Sequence, residues 1–185
     1  MKSPLKFDGI AWVKVSSLGI SQIYLSQQKL DNITKWFDPN NLGNFQPLPV
    51  HDFGNRRLTL TAGHSRAFSA YAAGLQSVPV VYDLDEIITN PTGQLLYRND
   101  IVWCDRFGLH TVADLHDRIL SPDLYQALWN RRCDIGYNLL MQTTPEQRQS
   151  WESLHSGLYL YGASEDLSIL YFEDAEGNSI AYPVK

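Results

Sequence analysis

An α+β fold is what this sequence predicts, and three observations predict it. Short β-like runs with turn residues between them fill the chain up to about residue 88, with one or two helices among them. Apolar spacing then becomes helical from 94 to 155, and residues 156 to 185 are β-rich again. No internal repeat, charge run or low-complexity tract interrupts this order. At 185 residues the chain is long enough for one sizeable core, and a single domain with a small appendage is the default. The expected organisation is a domain over 1–88, a helical extension over 94–155, and a C-terminal β segment over 156–185 packed on the same globule. Asn90-Pro91-Thr92-Gly93 is the best linker candidate.

The elements follow in order. GIAWVKV (9–15) sets Ile10, Trp12 and Val13 among smaller or polar neighbours and reads as a strand. Ser26 can cap a helix through QQKLDNITKWF, where Leu30, Ile33, Trp36 and Phe37 fall at helical spacing. FQPLPVHDF carries two prolines and reads as an extended strand suited to a sheet edge. GNRR turns it and LTLT returns, a hairpin whose Gly54-Asn55 pair suits positive-φ positions. Ala67, Phe68, Ala70, Tyr71 and Leu75 have helical spacing, with Gly74 where a C′ glycine belongs. SVPVVYDL is the next strand, and residues 85–100 read as a loop leading into helical RNDIVWCDRF. HTVADLHDRIL and SPDLYQALWNRRCDIGYNLL read as helices opened by Thr111 with Asp114 and by Ser121-Pro122; TTPEQRQSWESL opens in the same way. The remaining tail reads as strands joined by polar turns.

Charge and composition exclude several functions. Lysine and arginine total 15 against 20 acidic residues, a formal net charge of -5. Binders of a duplex phosphate backbone carry a basic surplus, so a nucleic-acid partner is not expected. Cys104 and Cys133 have neither C-x-x-C spacing nor a histidine at ligand distance, so no zinc site or disulfide scaffold is indicated. No run of about 18 apolar residues occurs and the first residues lack a signal-peptide pattern, so no membrane partner and a cytoplasmic location are expected.

The chemistry concentrates in Gly63, His64, Ser65 and Arg66, where a strand hands over to a helix. A helix N-terminus leaves amide N–H groups unpaired and carries about half a positive charge, which stabilises an anion. Gly63 lets backbone approach a ligand, and Ser65 can cap or offer its hydroxyl. Arg66 can hold two oxygens in its fork, and His64 brings a donor that gains charge near pH 6.5. Together they describe a phosphate cradle. The alternative is a turn glycine, a capping serine, and an arginine paired with a surface carboxylate such as Asp52 or Asp83. Adjacent His51 and Asp52 on a strand face opposite sides and do not make a catalytic dyad.

QPLPVHDFGNRRLTLTAGHSRAFSAYAAGLQSVPVVYD resembles the N-terminal domain of the ParB/sulfiredoxin superfamily in ordered pieces. They are a Gln-Pro-hydrophobic strand (Gln46, Pro47, Leu48), a second strand (Leu58 to Thr61), and a Gly-x-x-Arg turn (Gly63 to Arg66). A helix containing Ala70 and a Val-Pro strand (Val78, Pro79, Val80) follow, and IYLSQQKLDNITKWF takes the place of the family's first helix. The likeness covers about residues 8 to 86. It implies a ParB/sulfiredoxin-like domain with a helical extension and a small C-terminal β element. It also implies a nucleotide or phosphorylated small molecule held at Gly63, His64, Ser65 and Arg66, with ATP or CTP and Mg²⁺ as the natural candidates. Departures narrow the activity. His64 stands where sulfiredoxins have a reactive cysteine, and residues 94–155 show no clear helix-turn-helix of the kind DNA-partitioning relatives carry. A branch resembling free-serine kinases uses a carboxylate base, for which Asp31, Asp52 and Asp83 are candidates that spacing does not rank. Phosphoryl transfer or nucleotide hydrolysis with a divalent ion is the chemistry implied if the protein turns over. A non-enzymatic interaction module is the rival, a DNA-associated protein the weaker third, and oligomeric state stays open.

Overall fold

The computed structural model describes residues 5–184; the first four residues of the expected 1–88 domain, and Lys185 in the expected C-terminal segment, lie outside the described residues. The chain forms two compact units that divide between Tyr125 and Gln126, inside the 94–155 stretch. Helices are mixed with three small sheets, the mixed architecture that an α+β sequence implies.

The first unit begins with β1 (Ile10–Lys14), and β2 (Leu25–Ser26) leads straight into α1 (Gln27–Thr34). Ser26 caps α1 by accepting the Lys29 N–H, as its sequence position predicts. The helix ends earlier than expected, at Thr34, and Phe37 leaves it to pack on Phe45 with ring centroids 5.7 Å apart. β3 (Leu48–His51) and β4 (Thr59–Leu60) form the hairpin. At its tip Gly54 (φ 99°) and Arg56 (φ 59°) take the left-handed positions, Asn55 does not. α2 (His64–Ala72) and β5 (Ser77–Tyr82) follow. α2 closes in a Schellman arrangement around Gly74, with Gly74 N–H donating to Tyr71 and Leu75 N–H to Ala70.

The main sheet has the order β1-β5-β3-β4, with β5 antiparallel to β1 and parallel to β3. β3 is therefore an interior strand and not the edge its prolines suggest. Pro49 lacks the N–H that would reach the carbonyl of Thr61, and the Tyr97 hydroxyl donates to that carbonyl at 3.0 Å in its place. One face of the sheet supplies Leu48, Val50, Val78 and Val80 to the core, which also holds Leu60, Ala67 and Ala70. Alternate residues point the other way, and there Ile10 and Trp12 stay more than 60% exposed, at 63% and 62%.

Residues 85–100 correct the expectation of a loop. They contain α3 (Glu86–Thr89) and the start of α4 (Pro91–Arg106). Asn90-Pro91 reads as a turn, yet Asn90 is the N-cap of α4, accepting the Gly93 N–H at 2.7 Å, and Pro91 occupies the first helical turn, where its missing N–H costs nothing. HTVADLHDRIL is also not one helix. Thr111 and Asp114 form the expected capping box, but over a single 3₁₀ turn, after which β6 (Ile119–Leu120) pairs in parallel with β2. α5 (Pro122–Tyr125) ends the unit.

The second unit opens with a π-helical turn (Gln126–Asn130) that runs into α6 (Arg131–Gln142). α7 (Pro145–Leu154) starts with the Thr144–Gln147 capping box. β7 (Tyr159–Ala163), β8 (Ile169–Glu173) and β9 (Ser179–Pro183) form an antiparallel meander. Leu139, Leu160, Ala163, Leu170 and Phe172 make its core. Beside that core the buried Arg132 guanidinium donates to both Glu173 carboxylate oxygens, at 2.8 and 3.1 Å, and lies 4.3 Å from the Tyr161 ring centroid. Among the described residues no helix is long and apolar enough to cross a membrane.

Candidate functional site

The handover from β4 to α2 is made at Gly63, the N-cap, at φ +78°. A β-carbon there would lie 2.9 Å from both Leu48 Cδ2 and Arg66 Nη2, so glycine is required by conformation and by space. Ala67 N–H makes the first helical bond, to the Gly63 carbonyl. No side chain caps this end, and the His64, Ser65 and Arg66 N–H groups meet no hydrogen-bond partner among the described residues. Open donors at the positive end of a helix suit an anion.

A cleft of about 300 Å³ lies over this end. Gly63, His64, Ser65 and Arg66 line it together with Gln22 and with Lys29, Asn32 and Ile33 of α1. The four residues singled out by sequence therefore share one concavity.

His64 behaves differently from expectation. It is 5% exposed, and its Nε2 accepts the Ser21 N–H at 3.1 Å. A backbone N–H can only donate, so Nε2 presents a lone pair and the ring proton sits on Nδ1. Burial, and secondarily the charge of Lys29, pushes the His64 pKa down to about 3. The imidazole is a neutral donor at neutral pH and does not neutralise phosphate charge.

Ser65 is not the cap but the second residue of the helix. It is 8% exposed, lines the cleft, and its hydroxyl has no hydrogen-bond partner among the described residues. Arg66 reaches neither Asp52 nor Asp83. Its Nη1 donates to the Gln46 carbonyl at 2.9 Å, and burial lowers its pKa from the usual arginine value. One arm of the fork is thus tied back to the segment just before β3, and the remaining N–H groups are left for a ligand.

None of the three candidate carboxylates lines the cleft. Asp31 is exposed on α1 and accepts from the Gln27 amide at 2.7 Å. Asp52 is buried and holds the hairpin tip, accepting the N–H groups of Leu5 (2.8 Å), Gly54 (2.9 Å) and Arg56 (3.0 Å). Asp83 accepts from the Thr61 hydroxyl and the Asp85 N–H. His51 turns its Nδ1 to the Asp83 carbonyl at 2.8 Å, away from Asp52. Among the described residues no group of three or more His, Cys, Asp or Glu is placed to hold a metal ion.

Sequence reasoning missed Gln22, Lys29, Asn32 and Ile33. The available signal was the spacing of Lys29, Asn32 and Ile33 at i, i+3 and i+4, one face of the helix that Ser26 caps. Lys29 is exposed and extends over the Tyr125 ring, 5.4 Å from its centroid. Gln22 donates its amide to the Tyr24 carbonyl and the Tyr125 hydroxyl, and Asn32 accepts from Lys35. This leaves the Gln22 carbonyl and the Asn32 NH₂ group without partners among the described residues. No family model and no curated protein sequence matches this chain.

Proposed function

We propose that the chain carries a ParB/sulfiredoxin-like domain, cytoplasmic as its composition suggests, that binds a nucleotide or another phosphorylated small molecule in the cleft over the N-terminus of α2. One observation carries this reading. The uncapped helix end, with its open N–H groups and the unpartnered Ser65 hydroxyl, sits in a concavity that also receives Lys29 and Arg66. A helix dipole and two cations lining one cleft favour a phosphoryl group.

Phosphoryl transfer requires a base beside the acceptor, and Asp31, Asp52 and Asp83 all lie off the cleft lining. Binding is therefore the function proposed, with ATP or CTP and Mg²⁺ as the nucleotide candidates to try first. The second reading is a non-enzymatic interaction module. The exposed apolar side chains of Ile10, Trp12 and Val81 on the uncovered sheet face favour it, and a binding cleft is compatible with it.

The test is thermal unfolding of the parent chain and of Lys29→Gln and Arg66→Ala with ATP, ADP, CTP, GTP or inorganic phosphate, with and without Mg²⁺. A ligand at about 100 times its Kd stabilises the native state by about 2.7 kcal/mol. The reading expects a shift in the parent that both substitutions reduce. A folded parent that shifts with none of these compounds, or variants that shift as the parent does, would overturn it.

A further inference from the structure

The cleft carries a definite inventory of charge, size and donors. Its cations are Lys29 and Arg66, to which the helix end adds about half a charge. No aspartate or glutamate lines it. Mg²⁺ bridging a polyphosphate is usually held by one or two carboxylates as well as by phosphate oxygens and waters, and these walls offer no carboxylate.

We infer that the ligand of this cleft is a phosphomonoester on a compact hydroxyl-bearing molecule, bound without a bridging divalent cation. This rests on the reading of the cleft as a phosphate site. The charges match: a phosphomonoester carries about −1.5 to −2 near pH 7, which two cations and a helix end balance. A triphosphate carries more charge than these groups neutralise and would need a metal.

The polar groups without partners divide into two sets. The His64, Ser65 and Arg66 N–H groups and the Ser65 hydroxyl are donors grouped at the helix end. The neutral His64 Nδ1–H adds one more, since Nε2 is taken by the Ser21 N–H. Ser65 and His64 are each more than nine-tenths buried, yet both line the cleft and keep a polar group that the protein does not satisfy. These polar atoms are open to the cleft and not sealed inside the protein, and a phosphate oxygen there supplies the acceptor they lack. On α1 and at Gln22 the supply is mixed, with the Asn32 NH₂ group as a donor and the Gln22 carbonyl as an acceptor. A hydroxyl both donates and accepts, so such a wall suits a polyol or sugar body, with Ile33 against its carbon face. A cavity of about 300 Å³ is at the lower end of the range for ligand sites, which suits a small phosphate ester better than a nucleoside triphosphate.

Isothermal titration of the full chain tests this, with glycerol 3-phosphate, ribose 5-phosphate, glucose 6-phosphate, inorganic phosphate, and ATP and CTP, each in Mg²⁺ or in EDTA. The best phosphomonoester should bind at least about tenfold more tightly than either magnesium nucleotide. EDTA should leave that affinity unchanged, and Ser65→Ala and Lys29→Gln, both chosen to leave the core intact, should each weaken it by about fivefold or more. Tighter, magnesium-dependent binding of ATP or CTP would overturn this inference and leave the phosphate cradle standing. Phosphate esters that bind no better than inorganic phosphate would overturn recognition of the body. Binding of none of the probes would overturn both the inference and the cradle.

Discussion

Replacing Gly63 by alanine isolates what the cleft demands of its backbone. Gly63 is at φ +78°, where an L-residue is disfavoured by about 1–2 kcal/mol. The new β-carbon would also lie 2.9 Å from Leu48 Cδ2 and from Arg66 Nη2. Leu48 is fully buried and cannot yield freely, and overpacking of this kind costs about 1–3 kcal/mol. Gly74 provides the control. Its φ is +82°, but an added β-carbon would meet nothing within 4 Å. Gly74→Ala should therefore lose only the conformational part, about 1–2 kcal/mol, and Gly63→Ala about 2–5 kcal/mol in total. Urea unfolding followed by tryptophan fluorescence measures both. Because Arg66 must move to admit the methyl group, Gly63→Ala should also weaken phosphate binding, whereas Gly74→Ala should not. Equal destabilisation by the two substitutions would refute the close approach of Leu48 and Arg66 to the glycine.

Three further outcomes are expected. His64 has its folded pKa depressed from 6.5 to about 3, so its contribution to stability is fully present above pH 6.5 and is lost as pH falls toward 3. Unfolding free energies measured between about pH 7 and about pH 4.5 should fall more steeply for the parent than for His64→Gln, by up to about 1.4 kcal/mol per pH unit, and matching slopes would count against the buried neutral imidazole. Asp52→Ala should cost about 2–4 kcal/mol by freeing three backbone N–H groups, yet leave phosphate affinity intact; lost binding in a folded variant would place Asp52 back among the functional residues. In the second unit, Arg132→Met alone should cost about 3–5 kcal/mol by stranding the buried Glu173, and Arg132→Met with Glu173→Leu should recover most of it. Additive losses would argue against a coupled buried pair.

Local chemistry was readable from the sequence where it depended on neighbouring residues. Ser26 before α1, the Thr144–Gln147 box before α7, and Gly74 after α2 all act as their positions imply. Local signals misled where two readings share the same residues. Asn90-Pro91 suits a turn as well as a helix start, and helical spacing in 110–120 does not reveal that Ile119 and Leu120 find a partner in β2. The state of His64 was not readable at all, because it is set by the N–H of Ser21, 43 residues away, and by burial under the rest of the unit. Asp52 stood among three unranked candidate bases for the same reason: a carboxylate shows its acidity in the sequence, but the N–H groups of Gly54 and Arg56 at the hairpin tip and of Leu5, 47 residues away, appear only in the fold. Gly63 to Arg66 could be found because glycine and arginine at a strand-to-helix junction carry their chemistry with them. Lys29 shares a helix face with Asn32 and Ile33 in the sequence, but that this face meets the same cleft follows only from the packing of α1 beside α2.

The central claim is that the N-terminus of α2 receives a phosphoryl group. The most direct measurement is a titration of the ¹⁵N-labelled chain with inorganic phosphate, followed through backbone amide resonances. The His64, Ser65 and Arg66 amides should shift together and saturably, and the Lys29→Gln variant should need more phosphate for the same shift. Amides of α2 that stay unmoved while others respond, or no response anywhere in a folded protein, would contradict the claim.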